Sequence, residues 1–185
     1  MIIPENVLID AVTGTVATET ERYEKRVSDL RQVFADREAV ERMVAEKGNP
    51  LVYQVRAYRK EGCDLWFGTT TIEPGRVGSE YFMTRGHFHK RRDMGEVYYT
   101  QAGNGLLLLQ SRDSQIETLE MRPGVCSSIP PDWAHRSINV GDEPLVFFWI
   151  CNVEAGNDYA DIVQKGMLKR VVVGNSGPQL IVNRS

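Results

Sequence analysis

The chain has three histidines, His87, His89 and His135. A single residue separates His87 from His89, a spacing that turns both side chains to one face of a β-strand. Two imidazoles side by side form half of a metal site. Glu96 follows after a gap long enough for a short loop and a return to the next strand, and His135 arrives from a distant segment behind Pro130-Pro131. Three neutral imidazoles and one carboxylate suit a divalent iron, manganese, nickel or zinc ion. The competing reading is that each histidine is a hydrogen-bonded core or surface residue, and His-x-His alone is a weak motif. Convergence of the four needs a rigid wall of inward-facing side chains, such as a small β-barrel.

From Leu51 onward the sequence has the texture of such a wall. Segments rich in valine, tyrosine, threonine and leucine predict strands at 52–58, 65–72, 80–85, 95–100, 105–110, 116–121, 125–129, 136–140 and 145–151. Turns are expected between them, among others at Pro74-Gly75, Gly103-Asn104-Gly105, Pro123-Gly124 and Gly141-Asp142. Short strands at this spacing predict an antiparallel sandwich or barrel. Ahead of it lie an N-terminal arm of short strands around Thr13-Gly14 and one amphipathic helix. Ser28 is the expected cap of that helix, Asp29 suits its dipole, and Leu30, Val33, Phe34, Val40, Met43 and Val44 form its apolar face. Gly48-Asn49-Pro50 ends it. A helical turn at 159–165 and a hairpin of Leu168–Val173 with Gln179–Val182 complete a single domain over 1–185, in which 1–50 is arm and helix and 51–185 barrel and hairpin.

Net charge is −3 and apolar residues make up 42%. That balance fits an ordinary soluble protein and gives no reason to expect a nucleic-acid partner. The longest apolar run, Leu145–Cys151, is too short to span a membrane, and the first ten residues lack the pattern of a signal peptide. Cys63, Cys126 and Cys151 form no Cys-x-x-Cys pair and read as reduced thiols in a cytoplasm. Dinucleotide, P-loop and Gly-x-Ser-x-Gly motifs are missing from the sequence.

Six residues lead from Glu96 to Gly103; Gly124, Pro130, His135 and Asn139 then follow at further fixed intervals. These spacings resemble the two signatures of the cupin superfamily, whose fold is an all-β double-stranded β-helix (jelly-roll) barrel. The gap before Glu96 is longer than in most cupins, and Asp132 stands where glycine is usual. The segments Thr70-Thr71-Ile72-Glu73-Pro74-Gly75-Arg76-Val77-Gly78, Glu80–His89, Glu96-Val97-Tyr98, Pro130–Arg136, Gly141–Pro144 and Ala155–Tyr159 resemble the cupin-type phosphoglucose isomerases, in which that longer gap is usual. The resemblance covers nearly the whole chain. It implies interconversion of glucose 6-phosphate and fructose 6-phosphate by a homodimer that binds one divalent ion per subunit, iron first, through His87, His89, Glu96 and His135. It further implies phosphate contacts from Tyr53, Thr70, Thr84, Gly86 and Tyr159, with Tyr98 close to the sugar. Cys151 and Asn157 depart from the tyrosine and histidine of the compared members.

Hydroxyls and backbone N–H groups can donate to a phosphate dianion. Core packing with a wet hydroxyl is the competing reading for each tyrosine. Strict alternation turns Thr84 and Gly86 away from the two nearby histidines, a conflict that a β-bulge at Gly86 would remove. Arg85 and Lys90 read as solvated charges rather than substrate clamps, though either could reach a phosphate. For aldose–ketose chemistry Glu96 is the first candidate base and Tyr98 the second, whereas a hydride shift needs neither. Rival readings are an oxygen-using cupin, a non-catalytic sugar or metal sensor, and an isomerase of mannose 6-phosphate or an unphosphorylated sugar.

Overall fold

A computed structural model describes residues 2–183; Met1, Arg184 and Ser185 of the expected domain lie outside the described residues. Strands β1 (Glu21–Arg26), β2 (Leu51–Arg59) and β3 (Leu65–Ile72) begin an antiparallel sheet. The chain then passes through short strands β4 (Arg76–Val77), β5 (Glu80–Tyr81) and β6 (Phe88–His89). It continues into β7 (Glu96–Ala102), β8 (Gly105–Ser111), β9 (Ile116–Met121), β10 (Cys126–Ile129), β11 (Trp133–Asn139) and β12 (Leu145–Asn152). The first sheet has the order β1-β2-β3-β12-β7-β10, and a second, β11-β8-β9, faces it. Leu107, Leu108, Met121 and Ile138 from one wall and Ile72, Leu145 and Phe147 from the other are almost completely buried. Each such side chain contributes on the order of 1.5–3 kcal/mol. The fold is the all-β cupin barrel that the sequence implies.

Several boundaries differ from expectation. The helix predicted from Ser28 is broken: a 3₁₀ turn spans Val27–Leu30, and helix α1 spans Arg37–Glu46. Asp36, not Ser28, caps α1 by accepting the Ala39 N–H at 2.8 Å, while the Ala35 N–H donates to Glu80 at 2.7 Å. Leu30, Phe34 and Val40 nevertheless all reach the core. In the arm, an isolated Ile9–Val16 bridge takes the place of the strands expected around Thr13-Gly14.

The strand expected at 80–85 shrinks to β5, and the one expected at 136–140 starts earlier, at Trp133, directly after Asp132 in a left-handed conformation. The short β13 (Asn157–Asp158) pairs with β6, and helix α2 (Ala160–Lys165) follows it. The C-terminal hairpin of β14 (Lys169–Gly174) and β15 (Gly177–Val182) docks on β5. No helix among the described residues is long and apolar enough to cross a membrane.

Candidate functional site

Register decides which way residues 83–89 face. Met83 bridges Ile138 and His87 bridges His135. Four steps along one strand therefore oppose three along β11, so one extra residue is inserted, as in a β-bulge. Gly86 takes the positive φ of 78° within it. The insertion turns Thr84 and Gly86 to the same cavity as His87 and His89, which removes the conflict with strict alternation. Glycine is needed there, because a Cβ at position 86 would lie 3.2 Å from Arg136 Cβ and Nε and 3.3 Å from the His135 carbonyl.

The four expected ligands converge. Glu96 starts β7, His135 sits on β11 and His89 on β6, and their donor atoms together with those of His87 lie within 4.8 Å of one another. Two metal–ligand bonds of about 2.1 Å span roughly 4.2 Å end to end, so the group is close to what an ion requires. His89 Nδ1 lies 2.9 Å from the Met94 carbonyl, and His135 Nδ1 lies 3.2 Å from that of Trp133. A carbonyl only accepts, so each Nδ1 carries hydrogen and each Nε2 faces inward. Both Nε2 atoms approach Glu96 Oε2, at 3.2 and 3.1 Å. His135 Nε2 is buried without a hydrogen-bond partner. An orphaned nitrogen lone pair beside a carboxylate is an arrangement that a cation relieves, and the four residues fit one.

Electrostatics favour the ligating forms of two of the four. Burial pushes the Glu96 carboxyl up, but the close His135 and His89 imidazoles outweigh it and hold it at about 2. Burial, reinforced by neighbouring His135, pushes His87 well below the usual histidine range and keeps it neutral. Burial opposes charge on His89 too, yet hydrogen bonds to Glu96 and the Met94 carbonyl win and raise its pKa.

Tyr53, Thr70, Thr84, Gly86 and Tyr159 line the same cavity as the ligands, with Tyr98 beside them. The Tyr98 ring packs against Phe147 at 4.7 Å and edge-on to His135 at 5.8 Å. Burial, with the Glu96 charge nearby, raises the Tyr98 hydroxyl well above its ordinary pKa, so it stays protonated. The Tyr159 ring lies 5.5 Å from that of His87. The aromatic-core reading holds for Tyr53 and Tyr98 as well, since both are buried.

The family model described as Glucose-6-phosphate isomerase (GPI) matches residues 24–184. The chain belongs to this family. The glucose-6-phosphate isomerase of Thermococcus litoralis is 43% identical over 93% of this chain and 90% of its own length. That of Pyrococcus furiosus is 40% identical over 97% and 95%. Among solved structures, Bacillus subtilis oxalate decarboxylase matches with a TM-score of 0.47 and 23% identity over 57% of this chain and 26% of its own.

The cavity also holds residues that the sequence did not single out. Lys90 is exposed, while half-buried Arg85 lines the cavity, the alternative left open for it, with its guanidinium 5.4 Å above the Tyr159 ring. Tyr23, from the edge strand β1, also reaches the cavity; nothing in its local sequence signals that. Of the two departures, Cys151 lines the cavity with a thiol that burial pushes up to about 12. Asn157 lines it too, and its Nδ2 donates to the Tyr159 hydroxyl at 3.0 Å.

Proposed function

We infer that this chain interconverts glucose 6-phosphate and fructose 6-phosphate, with the sugar's reacting end at His87, His89, Glu96 and His135 and its phosphate at Tyr53, Thr70, Thr84, Gly86 and Tyr159. Family membership and a single cavity that joins both groups of residues support the reading. A divalent ion held by the four ligands would supply Lewis-acid polarisation of a carbonyl and shelter for developing negative charge. Iron, manganese and nickel, which accept six donors, suit a four-ligand site with room for substrate better than tetrahedral zinc does.

The protein's own groups divide the remaining work. Thr84 Oγ1 accepts the Ser137 N–H at 3.0 Å, which leaves its hydroxyl hydrogen free to donate to a phosphate oxygen. Tyr98 holds a proton beside the ligands and serves as donor to the sugar oxygens. Glu96, strongly acidic and engaged by two imidazoles, serves first as a ligand. The buried walls exclude water from the reacting carbons. The setting proposed is the cytoplasm, where free Cys63, Cys126 and Cys151 stay reduced, and the assembly proposed is a homodimer.

The test is an anaerobic assay of metal-free protein with fructose 6-phosphate, restoring Fe²⁺, Mn²⁺, Ni²⁺ or Zn²⁺ in turn. Glucose 6-phosphate should form only once a metal is present. If none forms with any of the four, the isomerase reading fails. Activity that requires air would point instead to an oxygen-using enzyme.

A further inference from the structure

Arg136 is 3% exposed, and among the described residues the one whose carbonyl it binds is Arg85: its Nε and Nη2 donate to that oxygen at 3.2 and 2.6 Å. It enters no ion pair among the described residues. Glu80, a buried carboxylate of β5, acts on Arg136 only through its field: its Oε2 pairs with Arg170 at 3.4 Å and accepts the Ala35 N–H, and its Oε1 has no hydrogen-bond partner. A buried guanidinium without a carboxylate is costly, and a neutral side chain could have anchored a carbonyl. An anion close by would offset that cost.

The anchored carbonyl belongs to the Arg85–Gly86 peptide at the inserted residue, where the main chain lacks a regular ladder to hold it. The peptide is trans, so fixing its carbonyl toward Arg136 turns the Gly86 N–H the opposite way. Gly86 lines the cavity and Arg136 does not. Main-chain N–H groups of this kind bind phosphate oxygens well. The next residue of β11, Ser137, holds Thr84 in both directions, since the Thr84 N–H donates to its carbonyl and its own N–H donates to Thr84 Oγ1. Ligand His135 and the clamps Arg136 and Ser137 are thus consecutive on one strand, which fixes the separation between the metal ligands and these two phosphate donors.

We propose that Arg136 is a positioning residue for the substrate's phosphate: it locks the Arg85–Gly86 peptide with the Gly86 N–H presented to the dianion, and places a positive charge that no carboxylate touches behind that donor. The proposal rests on the sugar-phosphate reading above. Arg136 touches neither the reacting carbons nor the metal ligands' donor atoms, so it acts on binding of the phosphate and leaves the chemical step alone.

The experiment compares metal-loaded wild type with Arg136→Met and Arg136→Lys in fructose 6-phosphate turnover, inhibition by inorganic phosphate, metal stoichiometry and thermal melting. Arg136→Met should raise KM and the phosphate inhibition constant together by about ten- to a hundredfold, with kcat within about threefold of wild type. Arg136→Lys should recover part of that loss, because it restores charge without the two-pronged grip. Wild-type KM and phosphate inhibition in folded, metal-loaded Arg136→Met would overturn the proposal, as would a fall in kcat alone. Failure of both variants to fold would make Arg136 purely structural and would also overturn it. Should wild type not turn over fructose 6-phosphate, the isomerase reading falls; calorimetric binding of inorganic phosphate to the three proteins still decides the role of Arg136.

Discussion

At the residue scale, the histidines differ in how ready they are for a metal. Burial keeps His87 neutral, whereas Glu96 and the Met94 carbonyl stabilise the proton on His89 and raise its pKa above 6.5. A metal must displace that proton. Affinity should therefore climb as pH rises through the His89 pKa and level off above it. At pH 6.5 in weak buffer, metal uptake should therefore release protons; indicator dye or calorimetry in two buffers reads this directly, and zero release would contradict it. His135→Ala should abolish both metal retention and turnover. Tyr98→Phe removes a protonated donor and keeps the ring's packing on Phe147, so kcat should fall by about a hundredfold with metal stoichiometry and KM preserved. The convergence of these four side chains was legible in the sequence because few residue types suit a metal ion and the chain holds only three histidines. Arg85 and Arg136 were not, since arginine is ordinary on surfaces and only the tertiary fold turns the first to the cavity and buries the second.

At the scale of elements, hydrophobic alternation and turn residues found the long strands, with β3 and β9 matching the expected 65–72 and 116–121 to the residue. The pattern could not reveal a break stabilised from far away. Residues 28–44 read as one helix because their apolar spacing is helical, but Glu80, remote in sequence, captures the Ala35 N–H and Asp36 then starts a new helix. Two-residue strands such as β6 and β13 carry too little pattern to be seen at all. Asp36→Ala should cost about 1 kcal/mol in urea denaturation, the worth of a typical N-cap, without altering kcat. The inserted residue at Gly86 has the opposite profile. Gly86→Ala forces a side chain into positive φ and against Arg136, so KM for the sugar phosphate should rise well beyond any change in metal stoichiometry. A variant with unchanged KM would mean that the peptide there makes no contact with substrate.

At the scale of the whole molecule, the six-stranded sheet has an outer face that alternation alone would leave polar. Cross-strand pairing sets Phe67, Ile150 and Val97 in one row of that face and Phe148 and Tyr99 in the next. Val97 is 37% exposed and Tyr99 44%, while Phe67, Phe148 and Ile150 are half-buried. Contiguous apolar surface of this kind marks an interaction site. A second copy of the chain is the occupant that the proposed homodimer supplies, and a stable interface needs about 800 Å² from each partner. Placing two charges at its centre, Val97→Glu with Tyr99→Glu, should give a monomer by sedimentation at concentrations where wild type is dimeric. Both residues point away from the cavity, on the face opposite Glu96 and Tyr98, so metal stoichiometry per subunit should persist in the monomer. A double variant that still sediments with wild type would place the contact elsewhere on the barrel, and a monomeric wild type would remove the dimer altogether.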